Sequence, residues 1–563
     1  MDKFNEIKTR NELASFIDIE PKRLAYILYI KKTENCYTVF KIPKRNGGVR
    51  IIKAPNKSLK YIQRHLARKL QEYQLDIWKE NNIHPNISHG FEKGKSIITN
   101  AKIHRNKKFV LNLDLENFFD SFHFGRIRGF FIKNKYFKLP TEVATVIAQL
   151  TCFKGRLPQG APTSPVITNL ICKILDMRLL KIAKSYKLDY TRYADDLTFS
   201  TNDKLFLQRK DEFFQKLKNE IELSGFKIND KKTRLQYKDS RQLVTGLVVN
   251  EKINVPREYY KDTRAMAHSL YTKGEFTING VPGTIDQLEG RFAYIDHIME
   301  SSNNVNKTEL NSKEKEYRRF LFYRYFFANE MPLIITEGKT DSRYIKAALK
   351  NLYTRYPLLI KKKNETEFEF QINFLKRTDR IEKLFGVTKD GGDSLKEIYR
   401  YYNDIKGAFN QFKFFNKLKQ KPATPVIILL DNEMENKKPL GKFLGACNLS
   451  NKKDIVKEKL FLNLEANVGR GEKINSNLFL MTIPLVEGKD ECEIEDLLPS
   501  EILKQKIDGK DFDRTGKKDN KEYYGKDKLS EKVLIQYKKI DFSKFVKLLD
   551  TINYIVELYS KNI

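Results

Sequence analysis

Two adjacent aspartates inside a strand-like segment constrain the fold of this chain more than any other feature. Asp195 and Asp196 stand in TRYADDLTFS (191–200), between two runs of β-branched and aromatic residues. Neighbouring side chains on a strand point to opposite faces, so a continuous strand would separate the two carboxylates. We therefore predict that the pair lies at the tip of a hairpin, where both side chains can converge.

A third carboxylate has a similar setting. In KFVLNLDLENFFDSF (108–122), alternation places Phe109, Leu111 and Leu113 on one strand face and leaves Asp114 on the other, near the strand end. Three such carboxylates in a basic protein favour divalent cations between them, because two Mg²⁺ ions can activate a hydroxyl and stabilise a leaving pyrophosphate. Turn and helix-cap roles would explain any one of these aspartates taken alone.

The charge balance indicates a polyanionic partner. The 563 residues include 105 Lys and Arg against 72 Asp and Glu, a formal net charge of +33. We expect no membrane partner, because the sequence has no long apolar run, signal peptide or lipidation motif. Five scattered cysteines without a CxxC pair favour neither disulfides nor zinc and are typical of cytoplasmic proteins.

A basic helix is predicted near the start of the chain, in LKYIQRHLARKLQEY (59–73). Apolar residues recur there at helical spacing: Leu59, Ile62, Leu66, Leu70 and Tyr73. Most of its basic residues fall on the other side: Lys60, Arg64, Arg68 and Lys69. A solvated face and a nucleic-acid contact explain these cations equally well.

Further motifs follow Asp114 and Phe119 in a fixed order: LPQGAPTSP (157–165), YADD (193–196), GFKINDKKTR (225–234) and LVTGLVVN (243–250). The series resembles that of reverse transcriptases and covers roughly the first 300 residues. The resemblance implies a right-hand polymerase of fingers, palm and thumb, with α+β architecture. It also implies dNTPs as substrates and a two-metal Mg²⁺ site.

By this resemblance, Asp114 and Asp195 bind the catalytic metals and Asp196 supports them. Phe119 is then the steric gate that clashes with a ribose 2′-hydroxyl and so selects dNTPs. The other nucleotide-binding residues implied are Gln159 and Gly160 at the nucleotide and template, Lys232 near the pyrophosphate, and Arg50 in the fingers hairpin KRNGGVRIIKAP (44–55). A surface position explains Lys232 nearly as well.

Two short segments resemble the hallmarks of bacterial retron reverse transcriptases. NAKIH contains Asn100 and His104, and the second hallmark is Val244, Thr245 and Gly246. The resemblance implies RNA or primer binding by these residues. It also implies a cognate non-coding RNA, priming from a guanosine 2′-hydroxyl, and a branched RNA–DNA hybrid, multicopy single-stranded DNA. A homo-oligomeric ribonucleoprotein is possible. A group II intron-like enzyme is the alternative, although no maturase or His-Asn-His segment follows residue 300.

The C-terminal half places four acids after two predicted strands. Glu337 and Asp341 follow PLIIT, and Asp431 and Glu433 follow PVIILL. Both apolar runs are short enough for parallel strands of an α/β sheet, and function gathers at the carboxyl ends of such strands. Capping and turn chemistry explain isolated acids well, but four acids at two strand ends favour one divalent-metal site.

This pattern resembles the Rossmann-like TOPRIM domain, and E-G-x-x-D is especially close to the overcoming-lysogenization-defect nucleases. KDGGDSLKEIY (389–399) resembles their glycine-containing middle motif. The resemblance implies Glu337 as metal ligand or general acid/base, with Asp341, Asp431 and Glu433 holding Mg²⁺ or Mn²⁺. Asp-x-Glu replaces the usual Asp-x-Asp, which leaves efficiency and metal preference open. Glu493 or Glu495 is a further candidate ligand, or a helix N-terminal acid.

These patterns predict a reverse transcriptase over 1–300 (fingers and palm 1–250, thumb 251–300), then a linker or connecting helix over 301–328. A TOPRIM nuclease-like domain follows over 329–500, with a charged and helical extension over 501–563. Resemblance to retrons with attached effectors implies anti-phage defence, in which the hybrid restrains the nuclease. Two alternatives make the TOPRIM half a non-cleaving binding platform or a processing nuclease for the enzyme's own product.

Overall fold

The computed structural model describes residues 4–44, 47–83, 86–301, 309–405, 409–418, 421–469, 472–515 and 522–561. The chain divides into two compact units, Met1–Tyr259 with His297–Asn304, and Tyr260–Asp296 with Val305–Ile563. The helices of the first unit, with the two that continue across its boundary, are α1 (Arg10–Phe16), α2 (Pro21–Ala25), α3 (Lys57–Glu80), α4 (Ile97–Ile103), α5 (Phe124–Lys133), α6 (Thr141–Thr151), α7 (Ser164–Ser185), α8 (Phe206–Leu223), α9 (Arg257–Lys273) and α10 (Ile285–Glu300).

The remaining helices belong to the second unit: α11 (Ser312–Phe322), α12 (Asp341–Asn351), α13 (Asp379–Phe385), α14 (Lys396–Tyr402), α15 (Gln411–Lys417), α16 (Pro439–Ala446), α17 (Lys453–Lys459), α18 (Ser500–Lys504), α19 (Lys526–Ile535) and α20 (Val546–Lys561). The strands of the first unit are β1 (Tyr37–Pro43), β2 (Val49–Pro55), β3 (Phe109–Asp114), β4 (Asp189–Tyr193), β5 (Asp196–Thr201), β6 (Arg234–Tyr237), β7 (Leu243–Val244) and β8 (Leu247–Val248).

The strands of the second unit are β9 (Thr277–Ile278), β10 (Val281–Pro282), β11 (Leu333–Thr336), β12 (Ile360–Lys362), β13 (Phe368–Phe370), β14 (Asn373–Phe374), β15 (Val426–Leu430), β16 (Phe461–Gly469), β17 (Glu472–Thr482), β18 (Asp511–Phe512) and β19 (Tyr523–Tyr524). None of the described helices combines the length and the apolar composition needed to cross a membrane.

An antiparallel sheet in the order β4-β5-β3-β6 is the centre of the first unit. Side chains that alternate along β3 and β5, including Leu111, Leu113, Leu197 and Phe199, enter one core that buried residues of α5 to α8 also fill. The alternation predicted for 108–114 is thus the pattern that fixes this sheet against its helices.

The second unit contains a five-stranded sheet in the order β14-β11-β15-β17-β16. The first four strands are parallel, as predicted for PLIIT and PVIILL, and β16 is antiparallel to β17. Ile335 and Ile428 enter one hydrophobic core, whereas Ile334 and Ile427 enter a second core on the opposite face. Burial on both faces explains why these strands are continuously apolar.

Two features differ from the expected organisation. Leu270 and Phe292, within the predicted thumb, belong to the same core as Phe320 and Ile335, so the compact units divide at Tyr259 rather than near residue 300. The stretch 503–530 is strongly charged and poor in apolar residues, a composition that predicts an excursion or flexible loop. Its described part nevertheless includes Leu529, which is buried in a hydrophobic core with residues of the second sheet. The identification of a thumb remains a prediction.

Candidate functional site

The first unit brings the three predicted polymerase aspartates to one edge of its sheet. Asp114 lies directly opposite Asp196, in register on β3 and β5. Asp195 and Ala194 form the two-residue turn between β4 and β5, which confirms the predicted hairpin tip. The Asp195 carbonyl also accepts a hydrogen bond from Leu115 N at 3.0 Å. Residues that are 80 positions apart in the sequence therefore meet.

Negative charge is in excess at this edge. Burial raises the pKa of Asp195 and raises that of Asp196 to about 7, and the neighbouring carboxylates add to both shifts. Asn229 Nδ2 and Lys232 Nζ donate to the two Asp114 oxygens at 3.1 and 2.8 Å. The hydrogen bond to Asp114 raises the pKa of Lys232. One lysine does not balance three carboxylates, which is the electrostatic condition for binding a further cation.

A buried ion pair supports the turn that carries Asp195. Arg192 is fully buried and donates to both carboxylate oxygens of Asp176 at 2.8 Å, and to the Ala194 carbonyl at 3.2 Å. Ala194 has a φ of +56°, which is uncommon outside glycine. A Cβ atom on Gly90 would lie 2.5 Å from Ala194 N. The sequence did not predict that Arg192 and Gly90 support this turn. The arginine could have been recognised, because it is a charged residue inside a run of aromatic and β-branched residues.

The predicted nucleotide-binding loop packs against the β1–β2 hairpin. Lys53 N donates to the Gln159 carbonyl at 2.9 Å. Gly160 has a φ of +124°, and a Cβ atom there would lie 2.9 Å from Ile52 Cγ2, so both conformation and space require glycine. Arg50 lies on β2, and its charge lowers the pKa of Asp195. The structure thus packs Gln159 and Gly160 against β2, the strand that carries Arg50.

Phe119 begins a short 3-10 turn, Phe119–Ser121, five residues after Asp114. Its half-buried ring lies 6.4 Å from that of Phe91, centroid to centroid. The next residue, Asp120, accepts from Lys53 Nζ at 3.2 Å, which ties this turn to β2. These contacts fix the turn that carries the ring against β2; its role as a steric gate stays a prediction.

The first retron hallmark lies in the interior. Asn100 and His104 are both fully buried on α4 and at its end. His104 contacts Ser200 Oγ through Nδ1 and Thr191 Oγ1 through Nε2, each at 2.7 Å, and Thr191 Oγ1 donates to Asn100 Oδ1 at 2.5 Å. Thr191 and Ser200 belong to the hairpin that carries the aspartates. These positions do not support a direct contact of either side chain with RNA.

The second hallmark forms a hairpin, β7–β8. Val244 is fully buried, whereas Thr245 and Gly246 form the turn, with φ values of +46° and +82°. A positive φ is unusual for a β-branched residue. Thr245 Oγ1 donates to the Ile97 carbonyl at the start of α4, at 3.4 Å. The second hallmark, about 140 residues from the first, therefore contacts the start of the helix that carries the first.

In the second unit, the acids that follow β11 and β15 also converge. Asp431 N donates to Glu337 Oε2 at 3.1 Å, and Asp431 Oδ1 accepts from Ile494 N at 3.2 Å. Asp341 Oδ2 accepts from Gly338 N at 2.6 Å, which closes the turn between β11 and α12. The predicted meeting of two acidic clusters at the carboxyl edge of the sheet is confirmed.

The candidate fifth and sixth acids lie beside them. Lys526 Nζ donates to Glu493 Oε2 and to Glu495 Oε2, both at 3.1 Å. Lys526 begins α19, so the C-terminal segment supplies a cation to this edge. Glu433 accepts from Lys438 Nζ at 2.6 Å. Sequence reasoning missed both lysines, because nothing local distinguishes them in a lysine-rich chain.

The glycine-containing middle motif contacts the same edge. A Cβ atom on Gly392 would lie 3.0 Å from Glu337 Cδ and 2.6 Å from Pro439 Cβ. Arg377 donates to the Glu337 carbonyl and, at 2.7 Å, to the Gly391 carbonyl. The motif therefore packs directly behind Glu337.

Both edges have the donor chemistry of a divalent-cation site. Burial raises the pKa of Glu337 and of Asp341 to about 7, and raises that of Asp431 well above its usual value. Within the described ranges, no three His, Cys, Asp or Glu side chains already surround a common point as a complete metal site. Oxygen donors are those that Mg²⁺ prefers, and a bound cation would stabilise the charged carboxylates, which burial and, to a smaller extent, the neighbouring acids disfavour.

Comparison with known proteins agrees with the first of these sites. Residues 42–261 match the reverse transcriptase (RNA-dependent DNA polymerase) family. Retron Ec86 reverse transcriptase of Escherichia coli is 34% identical over 308 residues, which cover 54% of this chain and 88% of that protein. Retron Mx65 reverse transcriptase of Myxococcus xanthus is 36% identical over 46% of this chain and 60% of its own length.

Among solved structures, the apo telomerase of Candida tropicalis aligns with 52% of this chain and 61% of its own, at 12% identity and a TM-score of 0.31. Retron Ec86 reverse transcriptase is matched over 88% of its length at 34% identity, and Asp114 on β3 and Asp196 on β5 lie inside residues 42–261. The chain is therefore a member of the bacterial retron reverse transcriptase family, an RNA-directed DNA polymerase.

Proposed function

We propose that the first unit copies a cognate non-coding RNA into branched multicopy single-stranded DNA, primed from a guanosine 2′-hydroxyl. The convergence of Asp114, Asp195 and Asp196 at one sheet edge is the observation that carries the polymerase site. These residues would hold two Mg²⁺ ions, which supply activation of the attacking hydroxyl and charge neutralisation on the pyrophosphate. The chain's own contribution is to orient the carboxylates through the Arg192 turn and the His104 network.

The polymerase site is tested by Asp195→Asn. DNA synthesis on a primed RNA template should be lost, because the variant removes one carboxylate charge from the metal-binding edge. Asp189→Asn is the matched control, since it removes a carboxylate from the far end of the same hairpin, where Asp189 pairs with Lys107. DNA made at the wild-type rate by Asp195→Asn would overturn the assignment.

Branched priming needs a separate test. The protein should be expressed with its locus RNA and the product treated with an enzyme that hydrolyses 2′–5′ phosphodiester bonds. We expect the RNA–DNA hybrid to separate into one RNA and one DNA strand. A product whose mobility does not change would favour conventional 3′-hydroxyl priming, as in a group II intron-like enzyme.

We also propose that the second unit is a TOPRIM-type nuclease that requires Mg²⁺ or Mn²⁺. The contact of Asp431 N with Glu337, at the carboxyl edge of a largely parallel sheet, is the observation in its favour. Glu337, Asp341, Asp431 and Glu433 would hold the metal. In a retron system such a nuclease would be a defence effector that the bound hybrid restrains until infection disturbs it.

The nuclease proposal is tested with Glu337→Gln. Wild type, bound to its hybrid, should be inert, and digestion of the hybrid should expose Mg²⁺-dependent cleavage of labelled RNA, tRNA or DNA. Glu337→Gln should remain inert, while Glu365→Gln, an exposed change in the β12–β13 loop, should cleave normally. Inertness of all three proteins on every substrate would favour a binding platform. A change in the ends of the enzyme's own product in Glu337→Gln would favour a processing nuclease.

A further inference from the structure

The exposed side of α3 carries a row of cations around one tyrosine. Lys57, Lys60, Tyr61, Arg64 and Arg68 are all exposed and are spaced by three, one, three and four residues, which places them on one helix face. The opposite face buries Leu59, Ile62, Leu66 and Leu70 in the core. The row is about 16 Å long at 1.5 Å per residue, enough to follow several phosphates of a nucleic-acid strand.

Most of this charge is not neutralised by the protein. Arg68 pairs with Asp18 at 2.8 Å. In the part of the chain that the structure describes, Lys57, Lys60 and Arg64 have no ion pair within 4.0 Å. The first turn of α3 also contains no acidic residue, although the helix dipole favours negative charge there. Cations at a helix N-terminus oppose helix stability. A negatively charged partner bound there would offset this cost.

The tyrosine forms an exposed cation–π stack with Arg23, beside a tilted histidine ring. Tyr61 is 41% exposed, the Arg23 guanidinium lies 4.4 Å from its ring centroid, and the His65 ring lies 4.5 Å away. Arg23 itself is exposed, one turn before the exposed Tyr26. Aromatic rings and guanidinium planes of this kind are the surfaces on which unpaired bases stack.

We propose that this surface, defined by Arg23, Lys57, Lys60, Tyr61 and Arg64, binds single-stranded RNA. Phosphates contact the three α3 cations, and an unpaired base packs on the Arg23–Tyr61 stack. RNA is the occupant because this unit belongs to an RNA-directed polymerase family and because the stack requires an unpaired base. The inference needs an RNA partner only, and so it stands whether or not the product is branched.

The charge component is tested with Lys57→Gln/Lys60→Gln/Arg64→Gln in the full-length protein. The probe is a fluorescent RNA hairpin with an unpaired loop. We expect Kd to rise at least tenfold at 150 mM KCl, and the slope of log Kd against log [KCl] to fall by about 2 to 3, since each lost phosphate contact removes about 1. Lys204→Gln/Lys210→Gln/Lys218→Gln is the matched control. These three lysines lie in and just before α8 and are exposed, and none of them forms an ion pair with another described residue. Equal effects of the two triple variants would overturn the proposal.

The stacking component is tested with Tyr61→Ala and Tyr61→Phe. Tyr61→Ala should weaken binding of the looped hairpin about fivefold or more, whereas Tyr61→Phe, which keeps the ring, should bind as wild type. Binding of a loop-free RNA duplex should not change in either variant. Wild-type affinity of Tyr61→Ala for the hairpin would overturn the stacking role, and an equal loss on the matching DNA hairpin would overturn the assignment to RNA. Extension of a short annealed primer should stay within twofold in every variant, which separates this site from the polymerase site.

Discussion

At the scale of single residues, the position of Asp195 depends on a glycine far from it in the sequence. Gly90 is buried, and a Cβ atom there would lie 2.5 Å from Ala194 N, inside any allowed contact distance. Backbone cannot move aside as a flexible side chain can, so Gly90→Ala should displace the turn. We expect primer extension to fall at least tenfold, because misplacement by about 1 Å at a catalytic centre can cost that much.

Gly129→Ala is the matched control for this prediction. Gly129 lies in α5, and a Cβ atom there would meet nothing within 4 Å. Alanine in a helix interior should stabilise the protein by about 0.5–1 kcal/mol and leave primer extension unchanged. Thermal unfolding of both variants separates misplacement from loss of folding. Full activity of Gly90→Ala would show that the turn does not set the position of the carboxylate.

When no metal is bound, the Asp196 carboxylate should lower the free energy of unfolding at neutral and alkaline pH. Its pKa is raised to about 7, so the folded protein holds the proton that the unfolded chain releases near pH 4, and stability from this group falls as pH rises through that interval. In EDTA, Asp196→Asn should therefore raise the unfolding temperature at pH 8 by about 1–2 °C and leave it unchanged near pH 4. The shift is kept small because the carboxyl stays in contact with solvent. A lower unfolding temperature at pH 8 would contradict this account.

At the scale of elements, local sequence patterns predicted most of the strands and turns that carry the two candidate sites. The strand ending at Asp114, the hairpin at Asp195 and the parallel strands β11 and β15 follow from hydrophobic alternation, apolar run length and turn residues. The sequence did not predict that His104 would be buried against that hairpin, because this contact joins residues about 90 positions apart. Likewise, the composition of 503–530 did not predict that Leu529 is buried, because the residues it packs against are distant in the sequence.

The contact between α4 and the aspartate hairpin predicts a pH dependence. Burial lowers the pKa of His104 to about 3, so the folded protein keeps it neutral while the unfolded chain binds a proton below about pH 6.5. Stability from this group is therefore complete above pH 6.5 and is lost as pH falls toward 3. His104→Gln should destabilise the protein at pH 7 by about 1–3 kcal/mol, since buried hydroxyls lose a partner.

The same variant should also flatten the pH profile. Between pH 7 and 5, wild type should lose more stability than His104→Gln, and His268→Gln, a change of an exposed histidine on α9, should follow wild type. Denaturant unfolding at both pH values measures the difference. Parallel profiles of wild type and His104→Gln would mean that His104 takes up its proton as readily in the folded protein as in the unfolded chain, and would contradict this account.

At the scale of the whole molecule, sequence order and compact units do not coincide. The motif series runs to about residue 300, but α9 and α10 pack in the second unit. These helices and the segment between them contribute six residues to its core: Ala267, Leu270, Tyr271, Phe276, Leu288 and Phe292. Phe292 stacks on Tyr317 and Phe320, with ring centroids 5.5 and 5.0 Å away. A domain boundary placed near residue 300 from the polymerase motifs alone would cut through this core. The motifs indicate which residues take part in catalysis, but they do not show which helices pack together.

This arrangement predicts which fragments fold. A chain of residues 260–563 should unfold cooperatively on heating, whereas 301–563 should not. The shorter chain loses five large buried side chains and one buried alanine from this core. At about 1.5–3 kcal/mol for each large side chain, the loss matches the whole stability of a typical domain. Circular dichroism melts and size-exclusion chromatography of the two fragments measure the difference. Cooperative, monomeric folding of 301–563 would show that the core of the second unit forms without α9 and α10, and would contradict this account.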